Sequence, residues 1–527
     1  MSRRPAALVA AGIFLSRILG LVRQRAFAHY LGNSAVMDAF TAAFRIPNLL
    51  QNLFGEGALS ASFIPVYAGL IAGEEREEAD RVAGAVGALL AVVVAAIVVL
   101  GVAASPLLVT LIAPGFAGEK RDLTILLVRI LFPGAGFLVL SAWCLGVLNS
   151  HRRFFLSYAA PVAWNLAIIG TLLVLGPTRS MSQLAVAAAW ASVAGSVLQV
   201  VVQWPTVRRV APALRLRLAA ATGYVRTVLT NFIPAFVGRG VVQVSAFIDS
   251  LLATLLPTGA VAAIGYAQSI YLLPVSLFGM AISAAELPAM SSARGTAEEV
   301  GTFLRARLDS GLRQVAFLVV PSAMAFLALG HVIVSALYQT GEFGRSDSLY
   351  VWGILAGSAV GLLASTMGRL YASAFYALRD TRTPLRFATF RVLLTAALGW
   401  FAALRLPGLL VIGPEWGAAG LTVSAGLAGW VEFALLRRAL GGRIGNTGLA
   451  PGLLPRLWLA AGAGAGLGWI LLVYLPALSV IPMAIVVLGA YGLAYFGAAR
   501  LLGIEEAQAL LARLGRGGPG RGRPGQG

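Results

Sequence analysis

The sequence predicts an all-α polytopic membrane protein with about fourteen transmembrane helices. Three observations carry this. Of the 527 residues, 59% are hydrophobic and only 12% are charged, whereas a soluble domain averages about 25% charged. Mean hydropathy is +0.84. The apolar residues form long runs separated by short charged loops, and the cations collect in alternate loops.

In chain order the expected spans lie near 6–28, 36–72, 82–113, 123–148, 155–176, 183–204, 228–256, 261–289, 313–337, 349–378, 386–405, 416–436, 456–475 and 479–501. Several exceed the roughly 20 residues that a perpendicular crossing needs, which implies tilt, kinks or extension beyond the bilayer. Pro47, Pro65, Pro234 and Pro274 are the expected kinks, because proline lacks an amide donor and clashes with the preceding turn. The net charge of +19 comes from 40 Lys+Arg against 21 Asp+Glu. Counting the span-edge residues Arg313, Arg386, Arg456 and Arg500 with the adjoining loops, and Arg226 with its span, the N-terminus, the loops after even-numbered spans and the C-terminal tail hold 26 of those 40 cations. The loops after odd-numbered spans hold five: Lys120, Arg121, Arg179, Arg345 and Arg405. Such a bias reports membrane orientation, with both termini in the cytoplasm, rather than a nucleic-acid-binding face. Cys144 is the one cysteine, so an intramolecular disulfide or a multi-cysteine metal site is excluded. Residues 504–527 are basic and Gly/Pro-rich, and are expected to be a disordered tail.

The second span organises the rest. DAFTAAFRIPNLLQNLFGEGALSASFIPVY (38–67) is apolar enough for a membrane, yet it carries Asp38, Arg45, Asn48, Asn52 and Glu56. On a regular helix, at about 100° per residue, these five share one narrow stripe about 27 Å long. Charges at membrane depth are costly and usually face a bundle interior or wet cavity. Span one adds Ser16, Arg17 and Arg23; span seven adds Arg239 and Gln243 one turn apart, with Asp249 beyond them. Arg369 lies within span ten. Arg25, His29, Arg129, Arg226 and Arg391 sit near span ends, where snorkelling accounts for them. Glu286 and Glu432 either pair with a neighbouring cation or reach the interface.

The interior is therefore cationic, and Arg17, Arg23 and Arg45 suit an anionic headgroup through the planar guanidinium fork. By contrast, the 43 residues between Arg456 and Arg500 carry no charge and must face lipid or an apolar ligand. An enzyme would need clustered acids for a metal, or a nucleophile with a base. His29, His151 and His331 are scattered, and no acid pair at metal-ligand spacing lies inside the spans. Neither catalysis, a cofactor nor a metal is expected.

These residues resemble a known family. The 38–67 stretch is similar to the signature of the MurJ (MviN) lipid II flippases, and SRILGLVRQRAFAHYLG (16–32) is similar to their first helix. APGF (113–116), LNSHRRFFLSYAAPVAWN (148–165), YQTGEF (338–343) and FYALRDTRTP (375–384) match further family motifs. The likeness covers spans one to twelve by motif and the last two by hydropathy. It implies the multidrug/oligosaccharidyl-lipid/polysaccharide exporter fold: six-helix lobes at 1–220 and 221–440 around a central cationic cavity. Two extra helices at 441–503 would form a lipid-tail groove. The implied task is moving undecaprenyl-diphosphate-linked peptidoglycan precursor to the outer leaflet of the cytoplasmic (inner) membrane by alternating access. Arg17, Arg23 and Arg45 fall on basic positions of the family's first two helices, and Asp38 and Glu56 on acidic ones. Asn48, Asn52, Arg239 and Asp249 complete the expected substrate-binding set. The implied partners are the lipid-linked precursor, membrane lipid and cell-wall synthesis proteins, with no nucleic acid. The chain departs from the family at Gln51 and Asn52, where members often carry basic residues, and at Gln268 and Ser269, where many carry an Asp-Arg pair. Arg239 is expected to supply the cation that Ser269 does not. Flipping of another polyprenyl-linked saccharide, drug or cation antiport, and an accessory role in wall synthesis remain the alternatives.

Overall fold

A computed structural model of the chain describes residues 3–218, 223–476 and 478–508. These residues are almost wholly helical. The first elements are α1 (Arg3–Leu31), α2 (Ala35–Leu50), α3 (Ser60–Ala72), α4 (Arg76–Ala103), α5 (Ser105–Ile112), α6 (Gly118–Ser150), α7 (Phe154–Leu175), α8 (Met181–Val210) and α9 (Gly223–Thr254). They are followed by α10 (Ala260–Pro274), α11 (Ala281–Ser291), α12 (Ala297–Ala328), α13 (Gly330–Tyr338) and α14 (Arg345–Ala377). The last are α15 (Arg382–Leu404), α16 (Leu406–Leu409), α17 (Gly417–Ile444), α18 (Leu453–Tyr474) and α19 (Val480–Leu501). The expected segments fall largely on helix, but 82–113 is divided at Ala104 between α4 and α5, and 313–337 at Leu329 between α12 and α13. Among the described residues, ten helices are long and apolar enough to cross a membrane. Most of the basic tail lies outside the described residues.

Two expected spans contain a register change. The segment Gln51–Leu59 is π-helical and joins α2 to α3; Val275–Met280 is π-helical and joins α10 to α11. Pro47 lies one turn before the first and Pro274 immediately before the second. Proline removes a donor from the i→i−4 ladder and crowds the turn before it, so each register change follows a turn that is already weakened. Pro65 and Pro234 sit within α3 and α9 without such a stretch. Local chemistry fixes several helix starts. Ser34 Oγ accepts from Met37 N at 3.2 Å, and Thr296 and Glu299 form a reciprocal capping box at the start of α12.

The chain divides into two compact units, residues 1–265 with 340–347, and residues 266–339 with 348–527. In the first, Phe63, Tyr67, Trp143, Leu148 and Val207 build a core from α3, α6 and α8. Within it Gln199 and Gln203 of α8 both donate to Ser141 Oγ of α6, at 2.8 and 2.6 Å. In the second, α18 and α19 seat on the end of α12 through Ala325 and, just beyond it, Leu329, packed with Ala465, Val487 and Tyr491. Pro321 of α12 has no amide, so the Phe317 carbonyl one turn earlier loses its helical donor; Tyr495 Oη of α19 donates to it at 2.6 Å. Tyr491 Oη donates to the Pro321 carbonyl at 2.6 Å. The outer faces of these two helices stay apolar and exposed, at Val473 and Leu493 for example.

Candidate functional site

The charged residues of the first two spans are anchored differently. Asp38, in the first turn of α2, is fully buried at 0% exposure. Lys120 Nζ donates to its Oδ2 at 2.6 Å. The backbone amides of Gly259 and Ala262 donate to its Oδ2 and Oδ1 at 2.7 and 2.8 Å. Those amides belong to the first turn of α10, so Asp38 caps a helix distant in sequence. A cation and the positive end of a helix dipole together offset the desolvation of a buried carboxylate. Gly259 has φ +96°, and a Cβ there would lie 2.6 Å from Asn33 Nδ2; this turn needs glycine.

Arg23 of α1 is half-buried, with its guanidinium 4.6 Å from the Trp164 ring centre and 5.9 Å from that of Phe44. Those two rings stack at 5.6 Å. The indole of Trp164 donates to Ser192 on α8, to O and Oγ both at 3.1 Å. A Cβ at residue 195 would lie 2.9 Å from Trp164, so Gly195 lets the indole sit there. The aromatic shelf orients a guanidinium through the ring quadrupole. Arg45 of α2 is half-buried and interacts electrostatically with Asp249 of α9. Arg17, Asn48 and Asn52 are exposed. Glu56 and Arg239 lie on described helical backbone, but their side chains are outside the described residues.

The single stripe expected on span two is corrected here. The α-helical register ends at Leu50 and continues as π-helical turns over Gln51–Leu59, so the straight-helix spacing does not hold beyond Leu50. Asp38 is buried against α6 and α10, whereas Asn48 and Asn52 are exposed. The carboxylate therefore serves packing and helix capping, with both oxygens engaged. Arg391, expected to snorkel, pairs with Glu432 at 3.1 Å, and Glu286 pairs with Arg307 at 2.9 Å. Sequence reading missed Lys120 and Trp164. One signal pointed to the first: Lys120 is the one lysine among 40 cations. Trp164 sits in a quoted motif, but nothing in that motif says which side chain it meets. Among the described residues, no group of three or more His, Cys, Asp or Glu is placed to hold a metal ion.

An all-helical chain with guanidinium groups held inside its spans is of the class of multi-pass membrane proteins built like solved transporters. A multidrug-resistance MATE transporter of the MOP superfamily, solved in an inward-facing conformation, matches with a TM-score of 0.66 at 18% identity. That match covers 81% of this chain and 95% of the other. A solved lipid II flippase MurJ, in an inward closed conformation, matches with a TM-score of 0.76 at 22% identity, over 94% of this chain and 98% of that one. In sequence, the lipid II flippase MurJ of Burkholderia cenocepacia is 32% identical over 428 residues, 80% of each chain. The family model described as lipid II flippase MurJ matches residues 27–496. The chain belongs to that family.

Proposed function

We propose that this protein flips lipid II, the undecaprenyl-diphosphate-linked peptidoglycan precursor, from the inner to the outer leaflet of the bacterial cytoplasmic membrane. The observation that carries this is the family match over residues 27–496. The half-buried guanidinium groups of Arg23 and Arg45 support it, since each can present a planar fork to a diphosphate. In this reading the chain crosses the membrane fourteen times, with both termini cytoplasmic and with lobes at 1–220 and 221–440. It is a transporter working by alternating access, not an enzyme. Arg17, Arg23, Arg45 and Arg239 bind the headgroup with Asn48, Asn52 and Glu56. Asp249 is the counter-charge that holds Arg45, and Asp38 positions α2. Helices α18 and α19 meet the lipid tail, and wall-synthesis proteins are its neighbours.

The test is translocation of labelled lipid II in vesicles containing the purified protein. Arg23→Ala and Arg45→Ala are each expected to lower headgroup affinity roughly 10- to 150-fold, the equivalent of a charge-assisted contact of about 1.5–3 kcal/mol. Both variants are expected at normal abundance in the membrane. Full flipping by both would overturn the headgroup role. Loss of both proteins from the membrane would assign these arginines to structure.

A further inference from the structure

A second basic site lies in the other unit. A cavity of about 440 Å³, open on one side, is lined by Phe433, Ala434, Arg437, Arg438, Asn446 and Thr447. It sits where α17 leaves its apolar run and enters the glycine-rich segment GGRIGNTG (441–448). Its floor is apolar: Phe433 is buried and packs edge-on against Tyr371 at 5.5 Å. Its rim is cationic and polar. This order of apolar floor and basic rim matches the junction of an acyl chain and a charged headgroup.

The rim is shaped by specific contacts. Arg437 Nε donates to the Thr447 carbonyl at 3.1 Å. A Cβ at residue 448 would lie 2.9 Å from Arg437 Nη2, so Gly448, at φ +139°, lets the guanidinium lie flat on the loop. Thr447 Oγ1 is held by Tyr371 Oη at 3.2 Å. The nearby acids are engaged elsewhere: Asp309 accepts from the Gly448 amide at 3.0 Å, and Asp380 pairs with Arg443 at 2.7 Å. Among the described residues, neither Arg437 nor Arg438 has a carboxylate within ion-pairing distance. Both arginines are exposed, and two neighbouring guanidinium groups with no carboxylate in reach suit an anion from outside the chain.

We propose that this cavity binds a phosphate ester, supplied by the headgroup of an anionic membrane lipid. Arg437 and Arg438 contact the phosphate, Asn446 contacts its polar substituent, and Phe433 and Ala434 meet the start of the acyl chains. The site lies on the side that carries most of the loop cations. It shares no residue with the headgroup set proposed above, so it stands or falls separately from lipid II flipping.

The experiment is native mass spectrometry of the full-length protein titrated with phosphatidylglycerol, with phosphatidylcholine and with inorganic phosphate. The wild type is expected to retain phosphatidylglycerol over phosphatidylcholine. Two interfacial arginines at about 1 kcal/mol each correspond to about 30-fold, and R437Q/R438Q is expected to lose that preference. Ala434→Trp, which adds an indole at the exposed mouth of the cavity and keeps both arginines, is expected to weaken phosphatidylglycerol while leaving the melting temperature unchanged. Equal retention of the two lipids by the wild type, or an unchanged preference in R437Q/R438Q, overturns the proposal. Arginine-dependent binding of inorganic phosphate with no lipid preference overturns the lipid source and assigns the site to a soluble phosphate.

Discussion

Asp38 is the most deeply buried charged residue among those described. Its carboxylate joins three elements: α2 bears it, α6 supplies Lys120, and the first turn of α10 supplies two amides. Removing one member of a buried ion pair strands the other, at a cost of about 3–5 kcal/mol. Lys120→Met is therefore expected to lower the thermal midpoint of the purified protein sharply. Adding Asp38→Asn should recover part of the loss, because the neutral amide oxygen still accepts one of the two N–H groups. A double variant less stable than Lys120→Met would refute the pairing. Arg23 is a different case, for its neighbours are aromatic rings. Trp164→Leu is expected to impair flipping as Arg23→Ala does, but less, because cation–π contacts contribute about 0.5–2 kcal/mol. Unimpaired flipping by Trp164→Leu would remove the shelf from the mechanism.

At the scale of elements, prolines set the irregularities and other side chains repair them. Tyr495 on α19 donates to the carbonyl that Pro321 leaves without an amide. Tyr495→Phe would strand a buried acceptor, at about 1–3 kcal/mol. Tyr491→Phe should cost less, since the Pro321 carbonyl can also draw on the amide one turn later in α12. Thermal unfolding of the two variants tests that order, and the reverse order would contradict it. A second element-level contact responds to pH. His151, in the turn after α6, bonds Tyr67 Oη at 3.0 Å through Nε2. Burial first, then the charges of Arg76 and Arg153, hold its pKa below the ordinary imidazole value. The folded state thus favours neutral His151, while the unfolded chain takes up a proton as pH falls below about 6.5. This group's contribution to stability is complete above that pH and declines below it. The thermal midpoint is expected to fall between pH 7.5 and 5.5, and the fall should shrink in His151→Gln. An identical fall in the variant would exclude His151 as its source.

For the whole molecule, the cation bias makes orientation testable. In a variant without the buried Cys144, single cysteines at positions 178 and 345 should react with an impermeant reagent added from outside. Those at 212 and 440 should not. Labelling of 212 in intact cells would reverse the assignment. The helical architecture was legible because long apolar runs must satisfy their backbone groups internally in lipid, and a helix does so within one segment. The site was legible only in part. Charged residues inside apolar runs are conspicuous, so Arg17, Arg23, Arg45 and Asp38 stood out. Their surroundings did not, since Lys120 lies 82 residues from Asp38 and resembles an ordinary loop cation.

The sequence by itself determined the fold class, the positions of the apolar helices and the family. These follow from composition and local pattern, which act along the chain. Tertiary structure alone decided that Asp38 is a buried helix cap, that Trp164 carries Arg23, and that Arg391 and Arg307 neutralise Glu432 and Glu286. It also decided that the straight polar stripe of span two breaks after Leu50. The physical reason is common to all of these. A charge is stabilised by whichever group lies within a few ångströms of it, and that neighbour comes from a helix whose distance in sequence carries no information about its distance in space.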